Sequence, residues 1–125
     1  MKIRVYYEDT DTGGIVYHSN YINFCERARS EAFFSRGLSP DLGTSGFVAK
    51  KLEANFIKPA KLGDMLEVKT LLVQMKSASF VLKQIIYKDD VKIFELNITL
   101  AHVNAEGRPQ KMGELTSLVE GLFDD

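Results

Sequence analysis

The sequence predicts an α+β domain, on three observations. One long stretch carries apolar residues at helical spacing. A short β-branched and aromatic run precedes it. Four strand-like segments, separated by turn signals, follow it. At 125 residues the chain has room for one domain of roughly 100–150 residues. No linker, low-complexity tract or internal repeat divides it, so residues 1–125 are read as a single unit.

The elements follow in chain order. Ile3 to Tyr7 reads as a short strand. The loop Glu8-Asp9-Thr10-Asp11-Thr12-Gly13-Gly14 comes next, its Gly pair and Asp/Thr cluster marking unusual backbone angles. Ile15 to Tyr17 is a brief apolar run. From Ser19 to Arg36 the period becomes 3.6: Tyr21, Phe24, Cys25, Ala28 and Ala32 form one stripe of a helix. Ser19 or Asn20 is expected as its N-cap and Gly37 as the residue just past its end. Phe47 to Ile57 is a strand ending at Pro59. In Met65 to Gln74, Leu66, Val68 and Leu72 share a face. Ser79 to Tyr87 and Val91 to Val103 are joined by Lys88-Asp89-Asp90, a hairpin signal. Phe94, Leu96, Ile98 and Leu100 alternate with Glu95, Asn97 and Thr99, the pattern of a sheet with one covered face. A short helix is expected in Gly113 to Phe123. One helix does not hide both faces of such a sheet, so a dimer that joins or stacks sheets is expected.

Composition excludes several classes. The 16 Lys+Arg balance 17 Asp+Glu, for a net charge of −1, which is no nucleic-acid grip. That total hides unlike parts: residues 1–49 carry a net −1, residues 50–111 a net +4 and residues 112–125 a net −4. The single cysteine, Cys25, excludes a disulfide framework. The N-terminus shows no secretory pattern and no apolar run is long enough to span a bilayer, so a cytoplasmic location is expected.

The most unusual segment runs from Tyr6 to Tyr21. Three carboxylates, two glycines and His18 sit directly before the helix. A helix N-terminus offers unpaired N–H groups and partial positive charge, which suits a reaction that develops negative charge on oxygen. A carboxylate held nearby serves as base or nucleophile.

The run D-T-D-x-x-G-I-V-Y-H-x-x-Y-x-x-F-x-E-R-A-R, from Asp9 to Arg29, resembles the signature of the YbgC-type acyl-CoA thioesterases. These are relatives of 4-hydroxybenzoyl-CoA thioesterase in the hotdog superfamily. Phe56 to Asp64 and Leu66-Glu67-Val68 are similar to the family too. The resemblance implies an antiparallel sheet wrapped around one central helix, and a homotetramer built as a dimer of dimers. It implies hydrolysis of an acyl-CoA thioester, or of an acyl-carrier-protein thioester, with short or medium acyl chains and a link to lipid metabolism. It implies no cofactor, coenzyme A being part of the substrate.

Residue roles are carried over from the same resemblance. Asp11 matches the catalytic carboxylate, which attacks the thioester carbonyl or activates a water. His18 matches the position whose backbone N–H polarises that carbonyl, and its imidazole offers a second role in orienting Asp11 or moving a proton. Tyr7 matches an aromatic residue beside the catalytic Asp. Gly14, Val16 and Tyr17 fall in the substrate-binding loop. Lys58, Pro59 and Lys61 fall in a second matched loop. Lys76, Ser77 and Ser79 fall where the related enzymes contact phosphates, although the Arg-rich turn of those enzymes is here one Lys with small hydroxyls.

Other residues read as structural. Asp9 is expected to bond its own turn. Cys25 lies two helical turns from His18, roughly 10 Å, too far for a nucleophile pair, and sits in the apolar stripe. His102 shares the parity of Leu96, Ile98 and Leu100 and is expected to be packed. Glu26 stands between a direct role, since some hotdog thioesterases place the carboxylate on the helix, and ion pairs with Arg27 and Arg29. Phe33, Phe34, Phe47 and Phe56 line an acyl pocket or fill the core. Asp9, Asp11, His18 and Glu26 match no zinc or calcium loop spacing. The alternative to an enzyme is a non-catalytic hotdog module that binds acyl-CoA or scaffolds other proteins. A hotdog dehydratase uses a different His/acid motif, absent here.

Overall fold

The computed structural model describes residues 1–123. Its strands are β1 (Lys2–Arg4), β2 (Ser45–Phe56), β3 (Met65–Met75), β4 (Ser79–Lys88) and β5 (Val91–Asn104). They form one sheet in the order β1-β3-β4-β5-β2, antiparallel throughout. Helix α1 (His18–Phe34) packs on it, and a second helix, α2 (Leu115–Leu122), closes one end. No helix among the described residues is long and apolar enough to cross a membrane.

The alternating strands bury one face. Phe94, Leu96, Ile98 and Leu100 of β5 are buried, with Phe80, Leu82 and Ile86 of β4 and Leu66 and Val68 of β3. From α1, Tyr21, Phe24, Cys25, Ala28 and Phe33 meet them. Each large side chain fully buried this way contributes about 1.5–3 kcal/mol. Register shifts at Ala49/Lys51, Leu72/Gln74 and Ile86/Tyr87 interrupt the ladders. Such bulges bend strands and let the sheet curl about α1.

Two local expectations hold in detail. Past α1, Gly37 has φ +70°, its N–H donates to Phe34 C=O, and Leu38 N–H donates to Phe33 C=O (both 3.0 Å). That pair of bonds is the Schellman ending that a glycine permits. Between β4 and β5, Asp89 and Asp90 both take positive φ (50° and 64°), as a two-residue hairpin turn of the mirror-image type requires.

Three expectations are corrected. β1 ends at Arg4 rather than Tyr7, because the Asp9 carboxylate accepts the Tyr6 N–H (2.9 Å) and turns residues Tyr7–Asp9 into one 3₁₀ turn. The cap of α1 is Tyr17, with no side-chain bond, not Ser19 or Asn20. Asn20 is drawn instead to the Asp9 carbonyl, to which its side-chain amide donates (3.0 Å). At the far end of the helix Ala32 packs against the core only partly buried, and Phe33, outside the expected stripe, is fully buried, because Phe123 and Phe47 lie against its ring.

Candidate active site

The loop between β1 and α1 folds on Asp9. Its carboxylate holds the Tyr6 N–H, and its carbonyl accepts both the Tyr17 N–H (2.9 Å) and the Asn20 side chain. The start of α1 is thereby tied to the end of the preceding chain. Between these anchors, residues 10–16 make a small hairpin. Asp11 N–H donates to Ile15 C=O (2.9 Å), Gly14 N–H donates to Asp11 C=O (3.0 Å), and Thr10 bridges Val16. Gly14 turns the chain at φ +79°, a conformation that costs other residues a Cβ clash. At the tip Asp11 is exposed, and its Oδ1 accepts the Gly13 N–H (2.8 Å).

The loop after β2 supplies the opposite wall. Ala60 C=O accepts the Val16 N–H (2.9 Å), and Ile15 bridges Lys61. A cleft of about 380 Å³ remains between the two loops and the mouth of α1. Asp11 and His18 line it together with Ile15, Val16, Tyr21, Phe56, Ile57, Lys58 and Pro59. His18 is the first residue of α1, so its N–H has no carbonyl a turn back and lies at the positive end of the helix dipole. The His18 ring packs beside Tyr17 and edge-on to Phe56 (centroids 4.4 and 6.4 Å). One carboxylate, a helix N-terminus, an apolar wall and one lysine thus meet in one concavity.

The remaining residues singled out in the sequence are distributed as follows. Gly14 sits at the loop tip beside Asp11. Tyr17 lines a separate, more open depression that Asp11 also borders, with Glu8, Thr10, Thr12 and Asn20. Lys61 adjoins the cleft through its backbone, its N–H donating to Asp64 Oδ2 (2.8 Å). Tyr7 is 82% exposed and lines neither depression. Lys76 and Ser77 lie in the turn between β3 and β4, and Ser79 opens β4. Ser79 pairs with Ala101, whereas the cleft residue Phe56 pairs with Phe94. Seven residues along β5 separate the two ends by about 23 Å. Within one chain that turn is therefore not part of the cleft, because successive antiparallel hairpins turn at opposite ends of the sheet. Ile15, Tyr21 and Ile57 also line the cleft; they fall inside the two matched stretches of sequence, which by themselves assign them no role.

Glu26 lies elsewhere. With Arg29, Ser30, Phe33, Phe47 and Phe80 it lines a second cleft of about 410 Å³ between α1 and β2. Its Oε1 accepts the Ser30 hydroxyl (2.9 Å). Arg29 donates to Gln84 Oε1 (3.2 Å), and burial pulls its pKa down. The Gln84 amide in turn donates to Cys25 C=O and Thr70 Oγ1 (2.8 and 3.0 Å). Burial pushes the Cys25 thiol up to about 12, so it is not a nucleophile at neutral pH. His102 is buried, with Nδ1 bonded to Lys111 C=O and Nε2 to Ser45 Oγ (3.0 and 2.9 Å). Phe34 is exposed. No group of three metal-ligating side chains gathers among the described residues.

Residues 13–95 match the family model of the thioesterase superfamily. The acyl-CoA thioesterase YbgC of Helicobacter pylori is 47% identical over 87 residues, which are 70% of this chain and 65% of that protein. The acyl-CoA thioester hydrolase YbgC of Escherichia coli O6:H1 is 42% identical over 85 residues, 66% of this chain and 63% of that protein. The match thus spans just under two thirds of the length of each of these curated relatives. The crystal structure of a probable thioesterase from Bartonella henselae superposes with a TM-score of 0.83 at 32% identity, covering 89% of this chain and 95% of that one.

Proposed function

The chain belongs to the thioesterase superfamily and has its hotdog fold, and from that premise we propose that it hydrolyses the thioester bond of an acyl-coenzyme A to a free acid and a thiol. The observation that carries the proposal is the shared cleft of the Asp11 carboxylate and the open N-terminus of α1 at His18. A thioester is already activated, with weak resonance and a good thiolate leaving group. Its hydrolysis needs a group to deliver oxygen to the carbonyl carbon and a donor to hold the negative charge that develops on the carbonyl oxygen. Asp11 supplies the first, by direct attack or by taking a proton from the attacking water. The His18 N–H supplies the second, in a field that favours anions. Collapse of the tetrahedral intermediate expels the coenzyme A thiolate. On the direct route an acyl–Asp11 anhydride forms and is then hydrolysed. No cofactor takes part.

The apolar wall of Val16, Phe56, Ile57 and Pro59 suits an acyl group, and the resemblance to the YbgC-type enzymes favours short or medium chains. Lys58 at the rim suits a coenzyme A phosphate or an acidic carrier protein. A cytoplasmic setting suits a buried free thiol, and the relatives' names favour a role in acyl, and hence lipid, metabolism.

We also infer a homo-oligomer, a dimer of dimers. β2 is a 12-residue edge strand, with Val48, Leu52 and Phe56 exposed along it and Ile57 just beyond. Such an open edge pairs readily with a second copy. Antiparallel pairing of two β2 edges sets the Phe56 end of one copy against the Ser45 end of the other. That arrangement brings the Lys76–Ser79 turn of one copy toward the Asp11 cleft of the other.

The test is thiol release over a panel of aliphatic and aromatic acyl-CoAs and an acyl carrier protein thioester. Turnover of at least one is expected. Retained binding with no release from any would leave a binding module instead.

A further inference from the structure

Tyr21 lines the Asp11–His18 cleft while being only 4% exposed. It lies three residues after His18, on the same face of α1. Helical side chains lean toward the N-terminus, so its ring extends from the first turn back toward the mouth of the helix. The hydroxyl oxygen accepts the Ala60 N–H (2.9 Å). A tyrosine hydroxyl both donates and accepts, so its own proton is left to donate, and among the described residues no acceptor takes it. A buried polar hydrogen in that state calls for a partner that enters the cleft.

The donor is also immobile. The ring stacks on Phe94 (centroids 5.2 Å, planes at 16°) and meets Phe24 and Phe56 edge-on. Ala60 is held from its other side by the Val16 N–H. Burial, helped by the charges of Asp64 and Asp11 and only partly offset by the Ala60 N–H, pushes the Tyr21 pKa above that of an ordinary phenol. The hydroxyl therefore stays protonated at neutral pH.

We propose that the Tyr21 hydroxyl is a second hydrogen-bond donor to the acyl oxygen that the His18 N–H polarises. The inference rests on the thioesterase reading. A fixed neutral donor beside a helix N-terminus stabilises a developing oxyanion without pairing with, and so disarming, the neighbouring carboxylate. The competing account makes Tyr21 a purely structural link between α1 and the loop after β2.

Two variants separate these accounts: Tyr21→Phe, and replacement of Tyr21 by 3,5-difluorotyrosine, whose hydroxyl is more acidic. Both keep the ring. kcat, KM and thermal stability are measured for each with one acyl-CoA that the native protein hydrolyses. Tyr21→Phe is expected to lower kcat about 10²-fold with KM within about twofold, because the bond is made in the transition state. The difluoro variant is expected to gain an alkaline limb, its rate falling at a lower pH than that of the native protein as its hydroxyl ionises. A structural link predicts lower thermal stability in Tyr21→Phe, with native kcat per folded molecule and a native pH profile in the difluoro variant. Tyr21→Phe with kcat within about twofold of native overturns the inference and leaves the thioesterase reading standing. A native protein that releases no thiol from any acyl-CoA removes both.

Discussion

Asp9 and Asp11 stand two residues apart in opposite environments. Asp9 is buried and bonded through both carboxylate and carbonyl. Asp11 is exposed at a hairpin tip that lines the cleft, and it is tethered through one oxygen only. Asp11→Asn keeps a carbonyl oxygen for the Gly13 N–H and removes the ionisable group. It is expected to cut thiol release about 10²–10⁴-fold with an unchanged melting curve; unaltered turnover would return Asp11 to a turn-forming role. Cys25 is the converse case, a reactive residue type disarmed by burial. Its thiol, raised to about 12, is expected to resist iodoacetamide at pH 8 in the folded protein and to react on unfolding. Because the folded pKa exceeds the ordinary value near 9.0, its contribution to stability is fully present below pH 9 and is lost as pH rises toward 12. A urea titration at pH 8 and pH 10.5 checks the sign: the later pH has the lower midpoint. Asp11 and His18 were legible because both fall in one short motif. Tyr21 was legible as an apolar-stripe and motif residue but not as a hydrogen-bonding one, because nothing local tells that Ala60, 39 positions away, takes its hydroxyl as an acceptor.

Among the elements, the loop from Thr10 to Val16 depends on its positive-φ residue. An alanine Cβ at position 14 meets nothing within 4 Å, so Gly14→Ala is a test of backbone conformation alone. It is expected to cost about 1–2 kcal/mol and to lower turnover by displacing Asp11, as a thermal melt and a thiol-release assay together show. A melt within experimental error of the native one would mean that the loop accommodates the change. The strands were readable from alternation in β4 and β5, since a period of two reports which face is covered. β2 was readable as a strand but not as an edge. Its bulge at Ala49/Lys51 and its open side are consequences of which strand pairs with β5. Nor does the period explain Gln84, a wholly buried amide at an apolar position of β4. It is there because Arg29, Cys25 C=O and Thr70 converge on it.

At the scale of the whole molecule, a sheet covered on one face and open at β2 is the ground for proposing association. The mass in solution, by light scattering, is expected to be a multiple of the 14.1 kDa chain. A lysine in place of Leu52, on the open strand, is expected to shift that mass downward; a monomeric native protein would refute the association. The near-zero net charge also gains meaning here, since the basic residues 50–111 include both Lys58 at the cleft and Lys76 at the far turn. By itself the sequence determined the strand–helix–four-strand order, the helix ending at Gly37, the hairpin at Asp89-Asp90 and the placing of Asp11 and His18 at a helix mouth. These are local matters, set by hydrophobic period, by turn residues and by a contiguous motif. Only the tertiary structure decided that Phe56 and Ile57 join Lys58 and Pro59 in the Asp11 cleft, that Glu26 faces a different one, and that Lys76 to Ser79 lie some seven residues of strand away. Those outcomes depend on pairing and register between distant segments, and side-chain identity at one end of a pair does not specify its partner at the other.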